Sequence, residues 1–205
     1  MKTKSIILLI IMFIALGILG FSMRLFANLP GIEGKDEEKR IIKTVERAYA
    51  IDAEAMYTFE LSEFPTVYIN DPRYPVSAGM LKTIQELTNN PLLETAGYLD
   101  YKMAYYTWRR DATLHEEAVY AKAKAENREL TDEEKRSLVD SEGRRAPPRA
   151  RDAERDVALL FISVEIQDDV ALVVLDDGPA TLELTLVLVD GDWYIAAIRG
   201  ILTHY

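Results

Sequence analysis

The stretch LFISVEIQDDVALVVLDDGPATLELTLVLVDGDWYIAAIRGI, residues 160–201, decides the fold. Leu160, Ile162, Val164 and Ile166 alternate with Phe161, Ser163 and Glu165. Leu182, Leu184, Leu186 and Leu188 alternate with Glu183, Thr185 and Val187, and Trp193, Ile195, Ala197 and Ile201 with Tyr194, Ala196 and Ile198. A period of two sends successive side chains to opposite faces, the pattern of half-buried strands. Asp168-Asp169, Asp177-Gly178 and Asp190-Gly191 separate these runs at hairpin spacing, and Asp-Gly is the preferred pair for a type I′ turn. Four antiparallel strands in a meander follow.

Towards the N-terminus the period changes to that of helices. A helix is expected from about Asp36 into the fifties, with Ile41, Ile42, Val45, Ala48 and Tyr49 on one face and acidic Asp36, Glu37 and Glu38 at its positive end. Ala53–Glu60 reads as a second short helix. Thr66-Val67-Tyr68-Ile69 reads as a strand, closed by the turn-prone Asn70-Asp71-Pro72. Ser77 can cap a helix from about Ala78 to Leu87. Leu92 to Glu129 reads as one long helix or two consecutive ones, and Thr131-Asp-Glu-Glu134 as a capping box that opens another. Gly143–Arg151, GRRAPPRAR, with two adjacent prolines and four arginines, should break structure. Helices first and sheet afterwards predicts an α+β fold: helices packed on a curved, four- to five-stranded, mainly antiparallel sheet, with a helical insertion at about 91–155.

Composition bounds the rest. At 205 residues, 49% hydrophobic and 28% charged, the chain is neither mainly disordered nor collagen-like. Residues 5–23 carry no charge and follow Lys2 and Lys4, while all 34 acidic residues lie from Glu33 onward. That run spans about 28 Å as a helix, close to the hydrocarbon thickness of a bilayer. Residues 1–27 are therefore expected to be a transmembrane anchor, the alternative being a cleaved signal peptide. Residues 28–35 would be a linker and 36–205 the domain. The lysines place the domain outside the cytoplasm, or secreted if the segment is cut. Residues 25–205 hold 21 basic against 34 acidic residues, a net of −13, which disfavours nucleic acid as a partner. The chain has no cysteine, hence no disulfide, thiolate nucleophile or cysteine metal site.

The order of elements carries a resemblance. A first amphipathic helix, a short second one, the strand TVYIND, another helix and four terminal strands closing on LVLVDGDWYIAAIRGI resemble the cone-shaped domains of the nuclear-transport-factor-2-like superfamily. It would cover about 36–90 and 156–205. The resemblance implies a curved sheet wrapped around helices, often enclosing a pocket and often dimerising through the sheet. It implies no single chemistry, because that superfamily holds isomerases, dehydratases, cyclases and non-catalytic modules.

Candidate chemistry is sparse. GxGxxG, GxxxxGK[ST] and GxSxG are absent, and His115 in His-Glu-Glu-Ala-Val lacks the second histidine of a zinc HExxH site. His204 is penultimate, where fraying is expected. The acidic pairs Glu116/Glu117, Glu133/Glu134 and Asp176/Asp177 read as solvated surface. No catalytic residue, metal or cofactor is assigned. Tyr68, Asn70 and Arg73 lie at the strand exit that the resemblance places at the mouth of the cone, where they could fix a ligand. An Asx turn ending the strand is the plainer reading. Tyr98, Tyr101, Tyr105 and Trp108 recur along one helical face with Arg109 and Arg110 after them. That stripe suits stacking of a planar ligand or, more simply, helix packing, and Tyr105, Trp108 and Arg109 are its candidate ligand residues. Arg144–Arg151 could meet anionic lipid headgroups or an acidic partner.

The expectation is a membrane-anchored, extracytoplasmic, non-catalytic binding or scaffolding domain, able to form a homodimer through its sheet. One alternative is an isomerase-, dehydratase- or cyclase-like enzyme using Asp52, Glu60 or Glu63 with Tyr57 or Tyr68. Another is a docking subunit of an envelope assembly, with 91–155 as its arm.

Overall fold

The computed structural model describes residues 30–139 and 158–203. The expected anchor over 5–23 and the expected break over Gly143–Arg151 lie outside the described residues. Among the described residues no helix is long and apolar enough to cross a membrane. The chain divides into two compact units, Met1–Lys39 and Arg40–Tyr205. In the first, the described residues form the start of a helix, on which Lys39 donates to Asp36 at 3.4 Å.

Helix α1, Pro30–Thr58, begins ahead of Asp36 and runs unbroken through the region where a second helix was expected. Its buried stripe is Ile41, Val45, Ala48 and Ala55, spaced by three and four residues. Asp52 completes that spacing. The helix stops at Phe59, whose φ of 65° is left-handed and whose N–H donates to Ala55 O at 3.1 Å. Burial of the Phe59 ring holds this residue in a conformation it would not otherwise favour.

The strand expected over Thr66–Ile69 is absent. Phe64–Thr66 forms a 3-10 turn instead, with Pro65 supplying a pre-set φ. Phe64 is fully buried, edge-on to Tyr106 with ring centroids 4.9 Å apart. Three residues remain before Asn70, enough for a single parallel bridge between Tyr68 and Ile195. Ile195 N–H donates to Val67 O at 2.8 Å, and Ile69 N–H to Ile195 O at 3.1 Å.

Helix α2, Ala78–Leu87, starts at Ser77, whose side chain accepts from Met80 N–H as expected. Helix α3, Tyr98–Ala125, starts later than Leu92 because its first turn is clasped by Asn70. The Asn70 Nδ2 donates to Asp100 Oδ1 at 2.8 Å, and Asp100 N–H donates to Asn70 Oδ1 at 3.1 Å. This approach requires a glycine at 97, since a Cβ there would sit 2.6 Å from Asn70 Cα. Helix α4, Asp132–Ser137, opens on the expected box: Glu134 N–H donates to Thr131 Oγ1 and Thr131 N–H to Glu134 Oε2.

The sheet is open and four-stranded, antiparallel throughout, in the order β1 (Leu160–Gln167), β2 (Val170–Asp176), β3 (Ala180–Val189), β4 (Asp192–Thr203). Asp190 and Gly191 both have positive φ, 52° and 90°, as a type I′ turn requires. The β2–β3 connection has three residues, with Gly178 left-handed at φ 92° and Asp176 Oδ1 accepting from Gly178 N–H at 2.7 Å. The even alternation expected along β1 is broken by a bulge between Phe161 and Ser163. One extra residue shifts the phase, so Phe161 and Val164 pack on the core while Leu160 and Ile162 stay exposed. Val173, Leu175, Leu184, Leu186, Trp193 and Ile195 meet Ile41, Val45, Phe64, Tyr98 and Tyr106 in one buried core.

Candidate functional site

Helix α3 presents two sets of side chains on different faces. Tyr98, Lys102, Tyr106, Arg109 and Thr113 follow one another at three- and four-residue steps and point inward. Met103, Thr107, Trp108, Asp111 and His115 lie roughly half a turn around the helix and line an open groove.

On the inward side Lys102 donates to Asp52 Oδ2 from α1. The two side chains are only 13% and 19% exposed. The Lys102 Nζ lies 4.8 Å from the centroid of the Tyr68 ring and 5.7 Å from those of Tyr98 and Tyr106, so three aromatic faces surround one ammonium. The Tyr68 hydroxyl donates to Ala48 O at 3.5 Å. Asp52 Oδ1 is buried and makes no hydrogen bond among the described residues. Burial, then the nearby Asp52 carboxylate, pushes the Tyr68, Tyr98 and Tyr106 phenols above their ordinary value. Tyr49 moves the same way through burial and Asp177, whose Oδ2 accepts its hydroxyl at 3.4 Å.

The groove has a volume of about 850 Å³, with a floor of Ile84 and Leu87 from α2, Leu93 from the following loop, and Met103 and Trp108 from α3. Leu138 and Val139 after α4 close one side. That size and apolar lining suit a drug-sized ligand or a short apolar segment. Two devices hold α4 at this edge. Arg128 reaches both Glu134 oxygens at 2.6 and 2.7 Å, and its guanidinium holds the Glu134 carboxyl down to about 2. His115 Nε2 meets Ser137 Oγ at 3.0 Å. The Ser137 hydroxyl also reaches Glu134 O, to which it donates at 2.8 Å. The pair ties α4 to α3.

The six residues singled out from the sequence do not form one site. Tyr68 belongs to the inward cluster and Trp108 to the groove. Asn70 clasps the start of α3. Arg73 donates to Asp71 at 2.8 Å and to Asp169 at 2.8 Å, which ties the turn after Ile69 to the β1–β2 turn and holds the buried Asp71 carboxyl below its usual range. Tyr105 bridges the clusters, stacked on Tyr101 at 6.3 Å, edge-on to Tyr106 at 5.4 Å and 5.9 Å from Trp108. Arg109 is buried on the inward stripe. Of the acids weighed with a tyrosine, Asp52 is brought to Tyr68, whereas Glu63 pairs with Arg47 at 3.0 Å and Glu60 is exposed. Tyr57 is 41% exposed. Sequence reasoning missed Lys102. Its signal was a charge at a core position of one helical stripe, matched by the opposite charge, Asp52, at a core position of another.

Among the described residues no group of three His, Asp or Glu is placed to hold a metal ion. Comparison with known proteins found no family model, no curated protein and no solved structure that matches this chain.

Proposed function

We propose that this chain is a non-catalytic binding domain, held outside the cytoplasm by residues 5–23, whose ligand seat is the groove between α2, α3 and α4. The ligand class is a small apolar or aromatic molecule. The observation that carries the reading is the groove itself: an open, mostly apolar cleft with Trp108 in its wall, whose nearest histidine and serine are occupied with each other. Kinship with nuclear-transport-factor-2-like domains is part of the proposal, supported by the helix-first, meander-last order. A homodimer through the sheet is also part of it, supported by the exposed Leu160 and Ile162. A thermal-shift series with small aromatic compounds on the full chain tests the ligand seat. Compounds should raise the melting temperature of the native chain and not of Ala104→Trp, which fills the groove. Equal shifts in both, or none in either, would overturn the assignment.

One observation favours a second reading, an enzyme of isomerase or dehydratase kind. Asp52 keeps one buried oxygen without a hydrogen bond among the described residues, and its carboxylate is close enough to the Tyr68 phenol to raise it, which brings a base and a polarising group into one cluster. Solvent exchange of carbon-bound protons from enolisable ketones, present in the native chain and absent in Asp52→Asn, would support it. No exchange in either would remove it.

A further inference from the structure

A second pocket of about 500 Å³ lies between α1, the 3-10 turn and the start of β4. Its α1 wall is Arg40, Lys43, Thr44 and Arg47, the exposed counterpart of the buried Ile41, Val45 and Ala48. Three cations on one stripe stand out in a chain with a net charge of −10. The arginines hold partners: Arg40 donates to Gly191 O and lies 4.0 Å from Asp192, while Arg47 donates to Glu63 and Thr66 Oγ1 at 3.0 Å each. Asp192, which lines the pocket, is 78% exposed and Glu63, outside its lining, is 61% exposed, so solvent screens both pairs. Lys43 and Tyr194, which also line the pocket, make no hydrogen bond or ion pair among the described residues.

We propose that this pocket binds a phosphate group. Two donors of different kinds that have no partner among the described residues, the Lys43 ammonium and the Tyr194 hydroxyl, line the pocket with two guanidinium groups whose ion pairs are screened by solvent. A tetrahedral oxyanion with several acceptors matches that set, with the arginines able to engage it in bidentate fashion and Lys43 as a point charge. The ligand is a free phosphate or a phospholipid headgroup, and the two share this chemistry. The site is separate from the groove and does not depend on the function proposed there.

The test is isothermal titration of the full chain in neutral-detergent micelles. One arm adds inorganic phosphate, and the other adds micelles doped with phosphatidylglycerol. Saturable binding is expected in at least one arm, weakened about tenfold by Lys43→Gln. Tyr194→Phe should weaken it less, with melting temperatures unchanged. Lys82→Gln, which removes the same charge from α2, should leave binding as it was. Binding of inorganic phosphate assigns a free phosphate as ligand; binding of doped micelles alone assigns a headgroup. Absence of saturable binding in both arms, or equal weakening by Lys82→Gln and Lys43→Gln, would overturn the proposal.

Discussion

The two sides of α3 carry charged and aromatic groups in opposite conditions. Inward, Lys102 is enclosed by Tyr68, Tyr98 and Tyr106 and neutralised by Asp52. Outward, Trp108, Asp111 and His115 border a cleft that solvent can enter. The inner cluster holds α3 to α1 at the expense of desolvating two charges, which is repaid only while both remain. The groove exists because α4 is short and is held at its edge by Arg128–Glu134 and His115–Ser137 and not by deep packing. One helix thus serves as core on one side and as wall on the other.

The largest expected effect comes from breaking the inner pair. Lys102→Met leaves Asp52 as a buried carboxylate without its cation and should lower stability by about 3–5 kcal/mol in urea unfolding. Asp52→Leu with Lys102→Met removes both charges and should recover most of that loss. A double variant as unstable as Lys102→Met would mean the pair is not what the loss reports.

Gly97→Ala comes next. The added Cβ would lie 2.6 Å from the Asn70 backbone, so the clasp on α3 must open. About 2–3 kcal/mol is expected, as for other overpacked sites, with hydrogen-exchange protection lost first in the opening turn of α3. Unchanged protection there would show that the clasp does not set where α3 begins.

Alkali should separate the two faces. Folding raises the Tyr49, Tyr68, Tyr98 and Tyr106 phenols, so the folded chain keeps protons that the unfolded chain releases near pH 10. Their contribution is whole below about pH 10 and falls as pH rises from there towards the folded values. Tyrosinate absorbance should show part of the 11 tyrosines titrating smoothly and the rest appearing together with unfolding. A single smooth titration of them all would contradict the enclosed cluster.

The smallest effect lies at α4. Glu134, at about 2 in the folded chain against an ordinary 4.5, supports α4 fully above that ordinary value. That support declines as pH falls through about 2. Faster exchange of the Leu138 amide in acid, with the sheet still protected, is the expected result. Loss of both together would mean α4 is not a separate, weakly held edge of the groove.

Much of the fold was legible because period and punctuation agree in the C-terminal fifty residues. Asp190-Gly191 is the type I′ turn that its composition announces, and Ser77 and Thr131 cap the helices that follow them. What failed were features set by tertiary contact. The bulge at Ile162 leaves no local trace, since Leu160 and Ile162 are as apolar as the core residues they resemble. Thr66–Ile69 has strand composition, but Phe64 is drawn into the core ahead of it and Pro65 bends the chain there. The site was legible in fragments. The residues singled out fall in different places: Tyr98 packs in the inward cluster and Trp108 borders the groove, because the stripe of Tyr98, Tyr101, Tyr105 and Trp108 is wide enough to reach both. The groove needs α2, α3 and α4 at once, and sequence spacing does not bring α4 back over α3.

The most direct test of the groove as the binding face uses the chain's two tryptophans. Trp108 borders the cleft, and Trp193 is buried in the core at 4% exposure. Indole titrated into the full chain should move the Trp108 side-chain N–H and Met103 methyl signals in a saturable way and leave the Trp193 signal in place. If Trp108 and Met103 stay still, or if both tryptophans move alike, the groove is not the binding face.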